Sequence, residues 1–541
     1  MWCTRLQIVG AFVLFALLAA PVAWHLTQVE RVDLPVSRIE QLSWSASRFG
    51  GSERFHVDIY SFGSKKSSSL SSSAPNVAYT TQQLQLTAGQ KNTLEKAVEL
   101  GLQATDNALE TLVTTKHKHF SVFLLCDDAA ASTPVLTIGK YRHAWSPLCQ
   151  VTEGDALHSA IEKMMYNHVY PQLPDRKQST ETKMARRALQ YRLQFSLLKE
   201  NPLTLWKEDL RVLVDQYLGR FVQKVGVLAN FTVETQVVHY ARLAKEVEQR
   251  DDGKEFYINA DDLKHFKSAN DFLDASVLDD GEQVLHFMAA LPDTAHAPLY
   301  IRPSDDHSKA GLATAFELPG WGIAAILNPH ALYSQPPVNA SVEEAAALTT
   351  SSKERELQRV MGLFVSEFRT LLGVPSFTQR QRKEDNLRFL PSTSDGIADW
   401  ELDIIMRDRF TELMQTAIET LQSTVELVEA LPELSVLERV QMRVETAVTR
   451  LEAILCDTNF QQCVDASDLR SLLAMARQAS HLTDAAYYDH TMIRQLYFPQ
   501  EQMLGVYAPL LAPLMLPFLL GIIRELKRFK AKRAAKKVKL Q

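Results

Sequence analysis

None of the short motifs that mark common catalytic sites occurs in this sequence. G-x-S-x-G, H-E-x-x-H, the Walker A pattern and G-x-G-x-x-G are all missing from its 541 residues. Cysteine is scarce, with five residues and no C-x-x-C pair. That argues against a zinc ribbon or a thioredoxin-like redox motif, and no cofactor or metal is expected. Positive charge is lacking in the bulk of the chain. The formal net charge is −6, yet Arg524, Lys527, Arg528, Lys530, Lys532, Arg533, Lys536, Lys537 and Lys539 crowd the C-terminal end against one acid, Glu525. That tail carries about +8 and leaves about −14 elsewhere. An acidic body argues against nucleic acid as a partner. No internal repeat of fixed period is visible.

Two long apolar segments stand out at opposite ends. They cover residues 8–26 and 503–523, and the second holds no charged residue. Crossing a hydrocarbon core of about 30 Å takes roughly 20 apolar residues in a helix. Both segments are therefore expected to be transmembrane helices. Positive flanks stay cytoplasmic, so the basic tail fixes one end and two spans place the N-terminus on the same side. The expected layout is a cytoplasmic N-terminus at 1–7, a span at 8–26, a lumenal α/β region at 27–340, a lumenal helical region at 341–502, a span at 503–523 and a cytoplasmic tail at 524–541. Ala19, Ala20 and Ala23 keep a cleaved signal peptide open as the alternative for the first segment, although Pro21 disturbs that site. A removable C-terminal lipid-anchor signal fits the second segment poorly, because a basic stretch follows it.

Two features fit a lumenal body. Asn230-Phe231-Thr232 and Asn339-Ala340-Ser341 read as glycosylation acceptors. Cys126, Cys149, Cys456 and Cys463 all fall in the body, and an even count permits two bridges in an oxidising compartment. Nearest neighbours would give Cys126–Cys149 and Cys456–Cys463, with buried thiols as the other reading.

The fold class expected is α/β plus all-α: a mixed sheet covered by helices, then a helical hairpin or bundle. Phe55, Val57 and Ile59 alternate with polar residues, as do Phe231, Val233, Thr235 and Val237. Both read as half-buried strands. Ser121–Leu125, Val284–Leu291, Leu299–Arg302 and Ile323–Leu327 are short apolar runs suited to strands. A Ser-rich stretch, Ser64–Ser73, reads as an exposed loop. Leu94, Val98, Leu102, Leu109 and Leu112 keep helical spacing, and Glu181–Leu198 and Leu205–Lys224 are read as helices. After residue 340 the pattern is nearly all helix, with stripes at Leu357–Leu371, Leu402–Val428 and Leu437–Ile454 and a further helix near Asp468–His481. Ser435 with Glu438 offers a capping box.

Possible chemistry is thin. Asp251-Asp252, Asp261-Asp262, Asp279-Asp280 and Asp305-Asp306 with His307 sit near Gly, Pro or Ser and read as solvated turns. Cys126 ends an apolar strand and reads as structural rather than nucleophilic. His117 and His119 flank Lys118 in a polar turn. In the second span Pro509, Pro513 and Pro517 share one helical face. Each lacks a backbone donor, so this face suits protein better than lipid, with a kinked anchor as the plain alternative.

Several segments together resemble the PIG-S family, the phosphatidylinositol-glycan class S subunits of GPI transamidase. They are Pro21…Trp24…Thr27…Arg31…Leu34-Pro35, Phe195-Ser196-Leu197-Leu198, Asn230–Val233 with Tyr240-Ala241, Leu285–Phe287 and Pro298–Ile301. Trp321-Gly322-Ile323, Asn339–Ser341, Trp400-Glu401-Leu402-Asp403 and Leu496–Pro499 complete the set, and Ser64–Ser73 has no counterpart. The resemblance implies an endoplasmic-reticulum membrane protein in a multisubunit complex that attaches GPI anchors to proproteins. It implies a non-catalytic chain, with the cysteine-protease-like chemistry in another subunit. Expected partners are the other transamidase subunits and membrane lipid, with proprotein or GPI lipid as further candidates. A membrane-tethered lumenal enzyme is the rival reading.

Overall fold

The computed structural model describes residues 10, 14, 31–49, 55–62, 77–113, 119–126, 135–148, 151, 155–171, 188–201, 209–241, 248–249, 255–259, 282–302, 313–328, 342–374, 386–392, 395–431, 434, 436–455, 468–495, 505, 509, 512–513, 516, 519–531 and 533. Two compact units divide the chain. One takes Glu53–Arg409 and Ser467–Arg470, and the other takes Met1–Ser52, Phe410–Ala466 and Ser471–Gln541. Helix α1 (Val36–Phe49) belongs to the latter.

The larger unit begins with β1 (Phe55–Ser61) and β2 (Val77–Gln83). Helices α2 (Ala88–Leu100) and α3 (Leu102–Leu112) follow. Thr87 caps α2, accepting from Gln90 N while the Gln90 side chain returns to Thr87 N. The helical stripe expected from Leu94 to Leu112 is thus two helices, because Gly101 at φ 114° breaks it. Strands β3 (His119–Leu124), β4 (Leu136–Ile138) and β5 (His143–Ser146), then α4 (Ala156–Lys163), complete this half. With β14 (Leu387–Phe389) the strands form a six-stranded sheet in the order β14-β4-β5-β3-β1-β2. All its pairs are parallel except β4–β5.

The register explains the layers. Val57 sits beside Phe120 and Ile59 beside Val122, on the face that packs against Leu157, Ile161 and Met165 of the α4 segment. Tyr60 sits beside Phe123 on the other face, against Leu94 and Leu109. One sheet with an apolar side chain on both faces needs helices on both faces.

The second sheet is built from β6 (Gln190–Lys199), β7 (Asn230–His239), β10 (Glu282–Leu291), β12 (Ala315–Leu318) and β13 (Gly322–Ile326). Their order is β12-β13-β10-β6-β7, parallel apart from the β12–β13 pair. Helices α5 (Leu210–Val225) and α6 (Val342–Leu372) cover one face. There Phe195 stacks on Phe287 at 4.8 Å, and Phe287 meets Phe364 at 5.6 Å and Phe368 at 5.9 Å between ring centroids. A phenylalanine buried like this contributes about 2–3 kcal/mol. Leu198, Met288 and Ala324 point the other way, into a cluster with Ile258, Leu299 and Ile301. Those last residues come from β9 (Phe256–Asn259) and β11 (Leu299–Arg302), which with β8 (Glu248–Gln249) form a three-stranded sheet.

One element departs from the sequence reading. Gln190–Lys199, which overlaps the stretch read as the helix Glu181–Leu198, is the central strand β6. Tyr191, Leu193, Phe195 and Leu197 keep a period of two, and burial between two parallel neighbours also fills the alternate positions. Such a run is nearly continuous in apolar residues and imitates a buried helix. Residues 181–187 lie outside the described residues.

The helical unit holds α1, most of α7 (Asp399–Ala430), α8 (Glu438–Leu455), nearly all of α9 (Leu469–Tyr487) and α10 (His490–Gln495). Val440, Val444, Ala447, Val448, Leu451 and Ile454 are buried along α8. Arg38 of α1 pairs with Glu452 of α8 at 2.6 Å, and Arg31 donates to Val428 O at 3.0 Å. Among the described residues no helix is long and apolar enough to cross a membrane. The expected spans at 8–26 and 503–523 lie largely outside those residues, as do Ser435, Leu496–Pro499 and Ser64–Ser73.

Candidate functional site

Open parallel sheets bind ligands at the carboxyl ends of strands where the chain reverses its direction of travel across the sheet. In the second sheet the chain moves from β6 to β7 on one side and returns with β10 on the other. The carboxyl ends of β6 and β10 therefore flank such a point. A polar cluster fills it. Glu200 Oε2 accepts from Asp293 N at 2.7 Å, and Glu200 Oε1 lies 2.7 Å from His296 Nδ1. Asn201 Nδ2 donates to Asp293 Oδ1 at 3.1 Å, which also accepts from Thr294 N at 2.7 Å. These groups bind one another and lock the loop after β10 onto the end of β6. The sequence reading missed them. Their only signal is an acid two residues after each apolar run, Glu200 after Leu198 and Asp293 after Leu291. Among the described residues, no three His, Cys, Asp or Glu side chains are placed to hold a metal ion.

A second candidate is a small open cleft at the amino ends of β1 and β3, beside the start of α7. Its polar lining is His119, Arg142, Tyr170, Asp403 and Arg407. Arg142 Nη2 donates to Asp403 Oδ1 at 2.8 Å, and its Nε donates to the other carboxylate oxygen. Burial works against the Arg142 charge, but the bonds to Asp403 outweigh it and hold the guanidinium above its ordinary value. Arg407 lies 3.9 Å over the Tyr170 ring and donates to Pro171 O at 2.5 Å. His119 opens β3 and lies 3.0 Å from Asp58 Oδ2, while Thr80 donates to the other Asp58 oxygen. His119 therefore belongs to a strand and a cross-strand pair, unlike the polar turn expected for it. Its ring stacks on that of His56 at 5.0 Å between centroids. Among the described residues, no Ser, Thr, Cys or Lys lines the cleft. Its charged groups are held by one another, by the Tyr170 ring, by Pro171 O and by Asp58, so it has the chemistry of a clamp.

The clamp continues inward through the start of α7. Trp400 Nε1 donates to Gly139 O at 3.0 Å. Glu401 accepts from Arg369 of α6 at 2.7 and 3.0 Å and from Ala398 N at 2.8 Å. Arg369 also donates to Gly396 O at 2.6 Å. Trp400, Glu401 and Asp403 thus reach three different parts of the unit. Deeper still, Asp106 of α3 and His143 of β5 face each other at 3.0 Å with almost no exposure. That pair is shut off from solvent and ties α3 to the sheet.

The remaining residues singled out in the sequence are scattered. Asn230 is the exposed first residue of β7. Cys126 follows β3, whose Leu124 is in register with Ser146 of the parallel neighbour β5. Pro509 and Pro513 are exposed helical positions. Asn339, Cys149, Cys456, Cys463, Pro517, His117 and all four Asp pairs lie outside the described residues.

Residues 10–532 match the family described as PIG-S: Phosphatidylinositol-glycan biosynthesis class S protein. The chain is 28% identical over 371 residues to the GPI-anchor transamidase component PIGS of Homo sapiens, covering 68% of this chain and 62% of that one. It is 27% identical to the protein of the same description in Mus musculus, with the same coverage. It is also 23% identical over 342 residues to the GPI transamidase component PIG-S homolog of Schizosaccharomyces pombe, covering 62% of this chain and 54% of that one. The chain thus spans less than two thirds of the length of these relatives.

Proposed function

Because the chain belongs to the phosphatidylinositol-glycan biosynthesis class S family, we propose that it serves as a non-catalytic subunit of a GPI transamidase. In this reading it supports the attachment of GPI anchors to proproteins through assembly and membrane positioning. The chemistry resides in a cysteine-protease-like subunit of the same complex. The observation that carries the reading is where the family-like residues go. Trp400, Glu401 and Asp403 bind Gly139, Arg369 and Arg142, and Gly322 lies against the backbone of His286. These residues build the body.

The same reading places the protein in the endoplasmic-reticulum membrane, with spans at 8–26 and 503–523, both termini cytoplasmic and the body lumenal. Asn230 and Asn339 then carry glycans. Exposure of Asn230 supports its acceptance of one. The neighbouring exits of β3 and β5 support a Cys126–Cys149 bridge, and Cys456–Cys463 is the companion pair. Other transamidase subunits and membrane lipid are the partners, with proprotein or GPI lipid as additional ligands.

The test uses cells that lack this chain and a GPI-anchored surface reporter. Wild type should restore the reporter, and the other subunits should co-purify with it in mild detergent. Arg407→Gln in the cleft should restore it equally well. A point substitution that abolishes anchor attachment while folding and assembly stay intact would instead assign the chain a reacting group. Loss of a mobility shift in Asn230→Gln and in Asn339→Gln checks the lumenal placement.

A further inference from the structure

We propose that the helix ending in the basic tail carries a docking face for anionic phospholipid headgroups, formed by Lys527 and Lys530. The proposal rests on the spanning reading of residues 503–523. The described positions from 505 to 533 are helical, and residues 519–531 form one unbroken stretch. The helix therefore does not stop where the apolar segment stops. Leu516, Leu520, Ile523, Lys527 and Lys530 step by four, three, four and three residues, which keeps them on one face. Leu516, Leu520 and Ile523 are 57%, 57% and 46% exposed, an apolar stripe suited to acyl chains. The same stripe turns cationic one step after Ile523.

Depth decides what those cations meet. At 1.5 Å per residue, Lys527 lies about 6 Å and Lys530 about 10 Å beyond Ile523 along the axis. The headgroup layer is about 5–8 Å thick on each side of the hydrocarbon. Lys527 sits within that layer, and the flexible Lys530 chain reaches back to its outer margin. Both lysines are exposed and form no ion pair among the described residues. The tail's lone acid, Glu525, is taken by Arg528 at 3.0 Å on a different face. Charge complementarity thus selects a lipid with net negative charge over a zwitterionic one. The lipid-facing direction of the stripe selects a bilayer headgroup over a soluble polyanion.

Native mass spectrometry of the full chain tests this. The protein is purified in mild detergent and exposed to equimolar phosphatidylcholine and phosphatidylserine. Wild type should retain phosphatidylserine over phosphatidylcholine by about thirtyfold, the ratio expected for two lysines at a charged surface. High salt should erase the preference. Lys527→Gln with Lys530→Gln should bring the ratio near one, Lys527→Arg with Lys530→Arg should keep it, and Arg524→Gln with Arg528→Gln should keep most of it. Equal retention of both lipids by wild type overturns the proposal, as does equal loss in the Arg524/Arg528 variant. Release of the chain from membranes by alkaline carbonate without detergent would overturn the spanning reading instead, whatever lipid the chain holds.

Discussion

Asp489 governs more of the helical unit than its position in a short link suggests. Its carboxylate is almost wholly buried and meets Arg439 at 2.8 Å and Arg443 at 3.0 Å, both from α8. It also accepts from Thr491 N at 3.0 Å and Thr491 Oγ1 at 2.7 Å, which caps α10. Burial alone would push this carboxyl up. The Thr491 and Arg439 hydrogen bonds outweigh it and pull the group down to about 2, against an ordinary 3.8. A folded value below the unfolded one means stability that is present above pH 4 or so and lost as pH falls towards about 2. Asp489→Asn should cost about 1–2 kcal/mol at neutral pH, because the exposed arginines are screened. Its urea midpoint should approach that of wild type below about pH 2. A midpoint difference that persists there would sink the assignment. Glu401 makes the sharper case, being 8% exposed with its carboxylate bound to Arg369 and Ala398 N. Arg369→Met strands that charge and should cost about 3 kcal/mol. Adding Glu401→Gln should recover part of the loss, and additive losses in denaturant melts would argue against a direct pair.

Glycines test the elements by sign. Gly322 begins β13 at φ 143°, and a Cβ there would stand 1.9 Å from His286 O on β10. Neither backbone can retreat without breaking the parallel pairing of His286 with Gly322. Gly322→Ala should therefore cost more than about 3 kcal/mol and lower the yield of folded protein. Gly219 in α5 and Gly362 in α6 have open space at the same atom. Alanine at either should stabilise by about 0.5–1 kcal/mol. Thermal melts of the three variants check both signs. Elements with one face more buried than the other were legible from the sequence. Phe55, Val57 and Ile59 give β1, Phe231, Val233 and Thr235 give β7, and the stripe from Val440 to Ile454 gives α8. The element that misled was β6, where burial on both faces erased the alternation. The three-residue β14 was invisible, since its place beside β4 depends on a contact more than 240 residues away. The polar latches were hidden for the same reason. Arg142 and Asp403, or Glu200 and His296, carry no sequence signal of their pairing.

At the scale of the whole molecule, the two proposed spans decide where the body between them lies. The larger unit holds itself together through closed ion pairs and aromatic packing. Folding of this unit should therefore not depend on the terminal segments, whose proposed role is to hold the body in a membrane complex. The C-terminal helix exposes Pro509 and Pro513 one to two turns before the lipid-facing stripe of Leu516, Leu520 and Ile523. Missing proline donors are tolerated better against protein than against lipid, so the turns that carry Pro509 and Pro513 suit a helix of another subunit. Replacing residues 503–523 with an unrelated apolar anchor of equal length should leave three readouts unchanged: glycosylation at Asn230 and Asn339, protease protection of the body in sealed microsomes, and the thermal melt of the body. Recovery of the other transamidase subunits should fall severalfold, and surface display of a GPI-anchored reporter should fall with it. Full recovery with the foreign anchor would place assembly in the lumenal body alone. Digestion of the body from the cytosolic side would overturn the proposed topology, in which a cytoplasmic basic tail and two spans put the body opposite the cytoplasm.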